Sequence, residues 1–140
     1  MKEAAGSKVR VLVVDDDPGI IKVLGIKLRL SGYEVLATTS GAEAIDLVRT
    51  QRPDVVTLDV VMPGVTGLEV LNRVRSFSRV PIIIFTGHPT IKQLALKNGA
   101  NESIAKPFDP DLLVEKIELV LSAHRAAKGH DAVKRQDPDH

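Results

Sequence analysis

The sequence contains no cysteine and no tryptophan, and only one tyrosine and three phenylalanines among 140 residues. The absence of cysteine excludes disulfides and thiolate metal sites. With aromatic residues at 3%, a core must be assembled from Val, Ile, Leu and Ala, and the hydrophobic content of 44% supplies enough of them. Neither sign of charge dominates: 19 Lys and Arg stand against 18 Asp and Glu. That balance argues against a dedicated nucleic-acid binder, whose charge is strongly basic and gathered on one face. Long apolar runs are also missing. The longest are strand-sized, and residues 1–10 carry no apolar leader core, so neither a membrane span nor a secretory signal is expected and the chain reads as cytoplasmic. The length predicts one domain without a separate output module.

Set against these absences is one informative stretch, VVTLDVVMPG over 55–64. Its β-branched run lies between Arg52-Pro53-Asp54 and Met62-Pro63-Gly64, so it reads as a short buried strand ending at Asp59. Similar runs predict strands over 9–14, 33–38, 80–85 and 103–105. Helical patterns separate them. Asp17 with Pro18 opens a first helix with Ile21, Leu24 and Leu28 inward and Gly32 as its C-cap. Ser40 and Glu43 form a capping box for a second helix, whose core face is Ala44, Ile45 and Val48. A third carries Leu68, Leu71 and Val74 on one face. The fourth is short and closes at Asn98-Gly99. Asp109 with Pro110 opens the last, whose core stripe is Leu112, Leu113, Ile117, Val120 and Leu121.

Strands alternating with helices define an α/β doubly wound, five-stranded parallel sheet with helices on both faces, and the flavodoxin-like order 2-1-3-4-5 is expected for it. The expected domain covers 9–122. Residues 1–8 form an N-terminal extension, and residues 123–140, where periodicity fades into mixed charge, form a helix end and a flexible tail or linker.

In an open parallel sheet the chemistry gathers at the carboxyl ends of the strands, beside the topological switch point. Those ends carry Asp15 and Asp16, Asp59, Thr86 and Lys106. Three carboxylates repel one another by roughly 4 kcal/mol per pair at 4 Å and an effective dielectric near 20. Lys106 alone does not balance them. A hard divalent cation does, and Mg²⁺, or else Mn²⁺, suits an all-oxygen site that keeps water positions for a phosphate. Asp59 then reads as a nucleophile toward a phosphoryl group, with Lys106 and the Thr86 hydroxyl stabilising its oxygens. Each residue also has a plainer role as a turn, a cap or a surface charge, and His88 reads as a loop histidine. The argument rests on the set.

The motifs VLVVDDDP from Val11, TLDVVMPGVTGLEVL from Thr57, PIIIFTG from Pro81 and GANESIAKPF from Gly99 together resemble the receiver domains of two-component response regulators. The resemblance implies a switch, not a turnover enzyme. It implies that a sensor histidine kinase or phosphotransfer protein phosphorylates Asp59. Asp16, Asp59 and the Val61 carbonyl would bind Mg²⁺ directly and Asp15 through water, and the Lys106-Pro107 bond would be cis. Output would pass to an unknown downstream protein across the fourth helix, fifth strand and fifth helix, by a monomer or weak dimer with no direct nucleic-acid or membrane contact. Three features depart from the pattern: Ser103 stands where an aromatic is usual, Pro89 falls in a shortened fourth-helix segment, and Val61 and His88 occupy positions that influence acyl-phosphate lifetime. Two rival readings are a phosphorylation-independent interaction module and a haloacid-dehalogenase-like phosphatase using the D-x-D of Asp15 and Asp17.

Overall fold

A computed structural model describes the backbone of residues 8–136 and the side chains as far as residue 127. Five strands, β1 (Arg10–Val14), β2 (Glu34–Thr38), β3 (Val55–Asp59), β4 (Ile82–Phe85) and β5 (Glu102–Ile104), alternate with five helices. These are α1 (Pro18–Leu30), α2 (Gly41–Gln51), α3 (Gly67–Arg75), α4 (Pro89–Lys97) and α5 (Pro110–Gln136). All strand pairs are parallel, as the alternating pattern predicts, and the sheet order is the expected β2-β1-β3-β4-β5.

The sheet is dry on both faces because alternate side chains of each central strand feed different clusters. Leu12, Val14, Val56, Leu58, Ile82 and Ile84 pack under α2, α3 and α4, whose Ile45, Leu71 and Ala95 close that face. Val11, Val13, Val55, Ile83 and Phe85 pack under α1 and α5 with Leu24, Leu28, Leu113 and Ile117. β3 is buried along its whole length and has a strand on either side, so Asp59 emerges from the most constrained part of the molecule.

Several local expectations change. Val9, Tyr33 and Val80 fall just outside their strands, and β5 begins and ends one residue early, leaving Ala105 beyond its end. The C-cap of α1 is Ser31, and Gly32 follows with φ 97, a left-handed turn that glycine takes without strain. Ile21 and Leu68 are only half-buried, while Gly25 and Val70 take fully buried places. Leu112 is not core: it is 38% exposed, because the stripe of α5 turns through Leu113, Ile117, Val120 and Leu121. The Ser40 hydroxyl accepts from the Glu43 amide, but the Glu43 carboxylate bonds the Thr38 hydroxyl instead of returning to Ser40. The reciprocal capping box belongs to α3, where Thr66 and Glu69 bond each other's backbone amides. Finally, α5 runs on to Gln136. Its apolar stripe stops earlier, but residues such as Ala, Lys, Arg and Gln sustain a helix by propensity where packing no longer does. Residues 1–7 and 137–140, which hold most of the expected extension and the end of the tail, lie outside the described residues.

Candidate phosphoacceptor site

The strand ends meet as the topology requires. Asp59 pairs in register with Phe85 at the end of β4, and Val14 at the end of β1 lies beside Leu58, so Asp15 and Asp59 are neighbours across the switch point. Asp15 is fully buried and Asp59 is 6% exposed. The Lys106 ammonium reaches in from the β5–α5 loop and bridges them, 3.2 Å from Asp15 Oδ2 and 3.5 Å from Asp59 Oδ2. The exposed Asp16 completes an acidic group in which one carboxylate oxygen from each of Asp15, Asp16 and Asp59 lies within 4.8 Å of the others.

The backbone holds these groups in place. Asp15 Oδ1 accepts from the Asp17 amide at 3.0 Å, and Asp59 Oδ1 accepts from the Val61 amide at 3.3 Å. The Lys106-Pro107 bond that follows β5 is cis, as expected. Phe85 and Phe108 stack with ring centroids 4.7 Å apart, and the Lys106 ammonium sits 5.9 Å above the Phe85 ring. Gly67 supports Asp59 from behind: a Cβ there would lie 2.2 Å from the Asp59 carbonyl oxygen and 2.7 Å from Val60 Cα. Neither the Phe108 stack nor this close approach was legible in advance, although a glycine at a helix's first turn beside a reactive strand end is a usable signal.

Burial, and next to it the Asp15 charge, push the Asp59 carboxyl above its ordinary range, against the opposing pull of Lys106 and the Val61 amide. One ammonium against three carboxylates leaves two formal negative charges. That deficit, in a crevice where Asp15, Asp16 and Asp59 offer hard oxygen donors, fits a divalent cation.

Thr86 stands at the end of β4, half-buried, with its hydroxyl accepting from the His88 amide at 3.1 Å. Among the described residues the structure shows no hydrogen bond from it to Asp59 or Lys106, so it flanks the cluster without joining it. His88 is exposed at the N-cap of α4 and makes no side-chain cap bond. Ser103 is half-buried within β5. Of the D-x-D pair, Asp15 is fully buried beside Lys106, and Asp17 Oδ1 accepts from the Gly19 amide at 2.8 Å as the cap of α1.

Comparison with known proteins agrees with this geometry. The family model of the response regulator receiver domain matches residues 11–118, and the chain belongs to that family. The DNA-binding response regulator MtrA of Mycolicibacterium smegmatis is 39% identical over 114 residues, covering 80% of this chain and 50% of that protein. The chain thus spans half the length of this relative. Among solved structures, chemotaxis protein CheY4 of Vibrio cholerae superimposes with a TM-score of 0.75 at 34% identity, over 81% of this chain and 99% of that one. NtrX of Brucella abortus superimposes with a TM-score of 0.82 at 25% identity, over 91% of this chain but 30% of that one.

Proposed function

We propose that this receiver domain is a Mg²⁺-dependent phosphoacceptor whose Asp59 takes a phosphoryl group from a histidine of a sensor kinase or phosphotransfer protein. The observation that carries the reading is the placement of Asp59, buried at the end of the central strand, with Lys106 3.5 Å away and two further carboxylates alongside. Mg²⁺, or Mn²⁺, would be held by Asp15, Asp16, Asp59 and the Val61 carbonyl, and would neutralise the excess carboxylate charge and offset the charge of the transferred phosphoryl group. An Asp59 oxygen attacks phosphorus in line, the O–P bond forms as the P–N bond to the donor imidazole breaks, and the imidazole leaves with the electron pair and takes up a proton. Lys106 moves its ammonium from two carboxylates toward the incoming oxygens, and the Thr86 hydroxyl, which accepts from the His88 amide, turns its own hydrogen to donate to one of them.

A docking place for the donor adjoins the site. A cavity of about 690 Å³ is lined by Ile20, Val23 and Leu24 of α1 with Lys106, Pro107 and Phe108, and Val23 and Ile26 are more than half exposed. An apolar helix face beside the nucleophile suits a helical phosphodonor. Output then reaches a downstream protein through α4, β5 and α5, where Leu94 and Leu119 are exposed. We assign the switch to residues 9–122 and no nucleic-acid contact to it; the DNA binding in the MtrA name concerns that protein.

The test is thermal unfolding with Mg²⁺ and beryllofluoride, an acyl-phosphate mimic. At 100 times its dissociation constant a ligand stabilises by about 2.7 kcal/mol. Wild type should gain this and Asp59→Asn should not. An unchanged midpoint in wild type would sink the phosphoacceptor reading. The interaction-module reading, which Ser103 in place of an aromatic favours, predicts instead that partner binding is the same for wild type and Asp59→Asn.

A further inference from the structure

At the opposite, amino-terminal end of the sheet lies a larger cavity of about 780 Å³. It sits roughly 13 Å from Asp59, the length of β3. Four elements contribute to it: the end of α2, the α2–β3 turn, the α3–β4 loop and α5. Its volume is in the range of small-molecule sites, about 300–1,000 Å³. Its charge is one-sided. Arg49, Arg52, Arg79 and Arg125 line it, and the one carboxylate among them, Asp54, already accepts from the Arg10 amide at 2.8 Å. Among the described residues no carboxylate lies within ion-pair distance of any of these four guanidiniums.

Two features separate this from an ordinary solvated surface. Arginine near a helix C-terminus complements the dipole, which accounts for Arg49 at the end of α2. It does not account for Arg79, in a loop entering β4, or for Arg125, well inside α5. Arg52, the C-cap of α2, takes φ 48, a left-handed conformation in which glycine or asparagine would sit with less strain. The second feature is an aromatic platform. Phe77 borders the same cavity and is 38% exposed, with the Arg49 guanidinium 4.4 Å from its ring centroid on one side. Val80, Pro81 and Leu121 supply apolar floor.

Guanidinium forks recognise phosphate by paired hydrogen bonds, and an exposed aromatic ring takes a planar base. We infer that this cavity is a second ligand site, for a free nucleotide, with Arg52, Arg79 and Arg125 toward the phosphates and Phe77 against the base. It is separate from the carboxylate cluster and independent of it.

Isothermal titration in EDTA and low salt tests it, with ATP, adenosine, inorganic pyrophosphate and a short single-stranded oligonucleotide as probes. ATP should bind saturably at one site, about tenfold or more tighter than adenosine or pyrophosphate. Arg79→Gln and Arg52→Gly should each weaken ATP about tenfold without lowering the unfolding midpoint, Arg52→Gly because it relaxes the backbone. Phe77→Leu should weaken ATP and leave pyrophosphate unchanged, and Asp59→Asn should leave ATP binding unchanged. No saturable ATP binding, or ATP binding indifferent to both arginine variants, would overturn the site. Pyrophosphate binding as tightly as ATP would overturn the nucleotide assignment, and so would an oligonucleotide binding more tightly.

Discussion

The two ends of this one sheet are electrostatic opposites. At the carboxyl ends Asp15, Asp16 and Asp59 crowd around a single ammonium; at the amino ends four guanidiniums surround one carboxylate already bonded to backbone. The difference in burial matters as much as the sign. The acidic end is largely buried, with Asp15 fully so, Asp59 nearly so and only Asp16 exposed among its carboxylates, which repel in low dielectric. The basic end is open, and arginines such as Arg49 and Arg79 stay exposed to water. Excess charge at the first end must therefore appear as a perturbed proton affinity and a dependence on cations. At the second it is screened and costs the fold little.

The comparison breaks most severely at Gly67. Gly67→Ala drives a Cβ into the Asp59 carbonyl and the Val60 backbone, and should cost about 3 kcal/mol in chemical denaturation, because both obstacles are main chain. The basic end has no such dependence in its arginine side chains, and an equal loss there on Arg79→Gln would erase the contrast. Next comes Lys106→Met, which leaves Asp15 buried without its cation. A loss of about 1–2 kcal/mol is expected at pH 7, less than for a fully enclosed pair because the lysine is 31% exposed. Added Mg²⁺ should restore most of it; failure to restore it would show that the acidic cluster does not accept a divalent ion.

Asp59→Asn sharpens the comparison by pH. The folded-state pKa of Asp59 is raised, so its contribution favours the fold in acid and is lost as pH rises through that pKa. In metal-free buffer near neutrality the asparagine variant should be more stable than wild type by about 1 kcal/mol. That advantage should shrink as pH is lowered through the Asp59 titration, and a constant difference would contradict the burial and Asp15 repulsion described above. Thr57→Val should be neutral or stabilising by up to about 1 kcal/mol, since its fully buried hydroxyl has no hydrogen-bond partner among the described residues. The smallest effect belongs to the open end: Arg49→Gln, which removes an exposed cation from the Phe77 ring, should lower stability by about 0.5 kcal/mol in a denaturant titration.

The acidic end was the more legible of the two because its residues sit at strand ends, where side-chain alternation and the rule for parallel sheets place them without knowledge of packing. Asp15, Asp16, Asp59 and Lys106 could be collected from five short apolar runs. Thr86 could be assigned to the right strand end, but the partner of its hydroxyl depends on how the loop to α4 folds back. The basic end was silent for a physical reason. Arg49 with Arg52, then Arg79, then Arg125 lie on three stretches far apart in sequence, each unremarkable as a surface residue, and only the packing of α5 beside the α2–β3 and α3–β4 turns brings them around one cavity.

By itself the sequence determined the alternation of buried strands and amphipathic helices, the parallel doubly wound class that right-handed crossovers impose, and the set of groups delivered to the carboxyl edge, all of which depend on local periodicity and chain connectivity. Only the tertiary structure decided which carboxylates Lys106 bridges, that Phe108 stacks on Phe85, that Leu112 turns outward, and that four arginines share a cavity. Those outcomes depend on helix rotation and loop closure, which are settled by the competition of many side chains for the same space and leave no periodic trace in the chain.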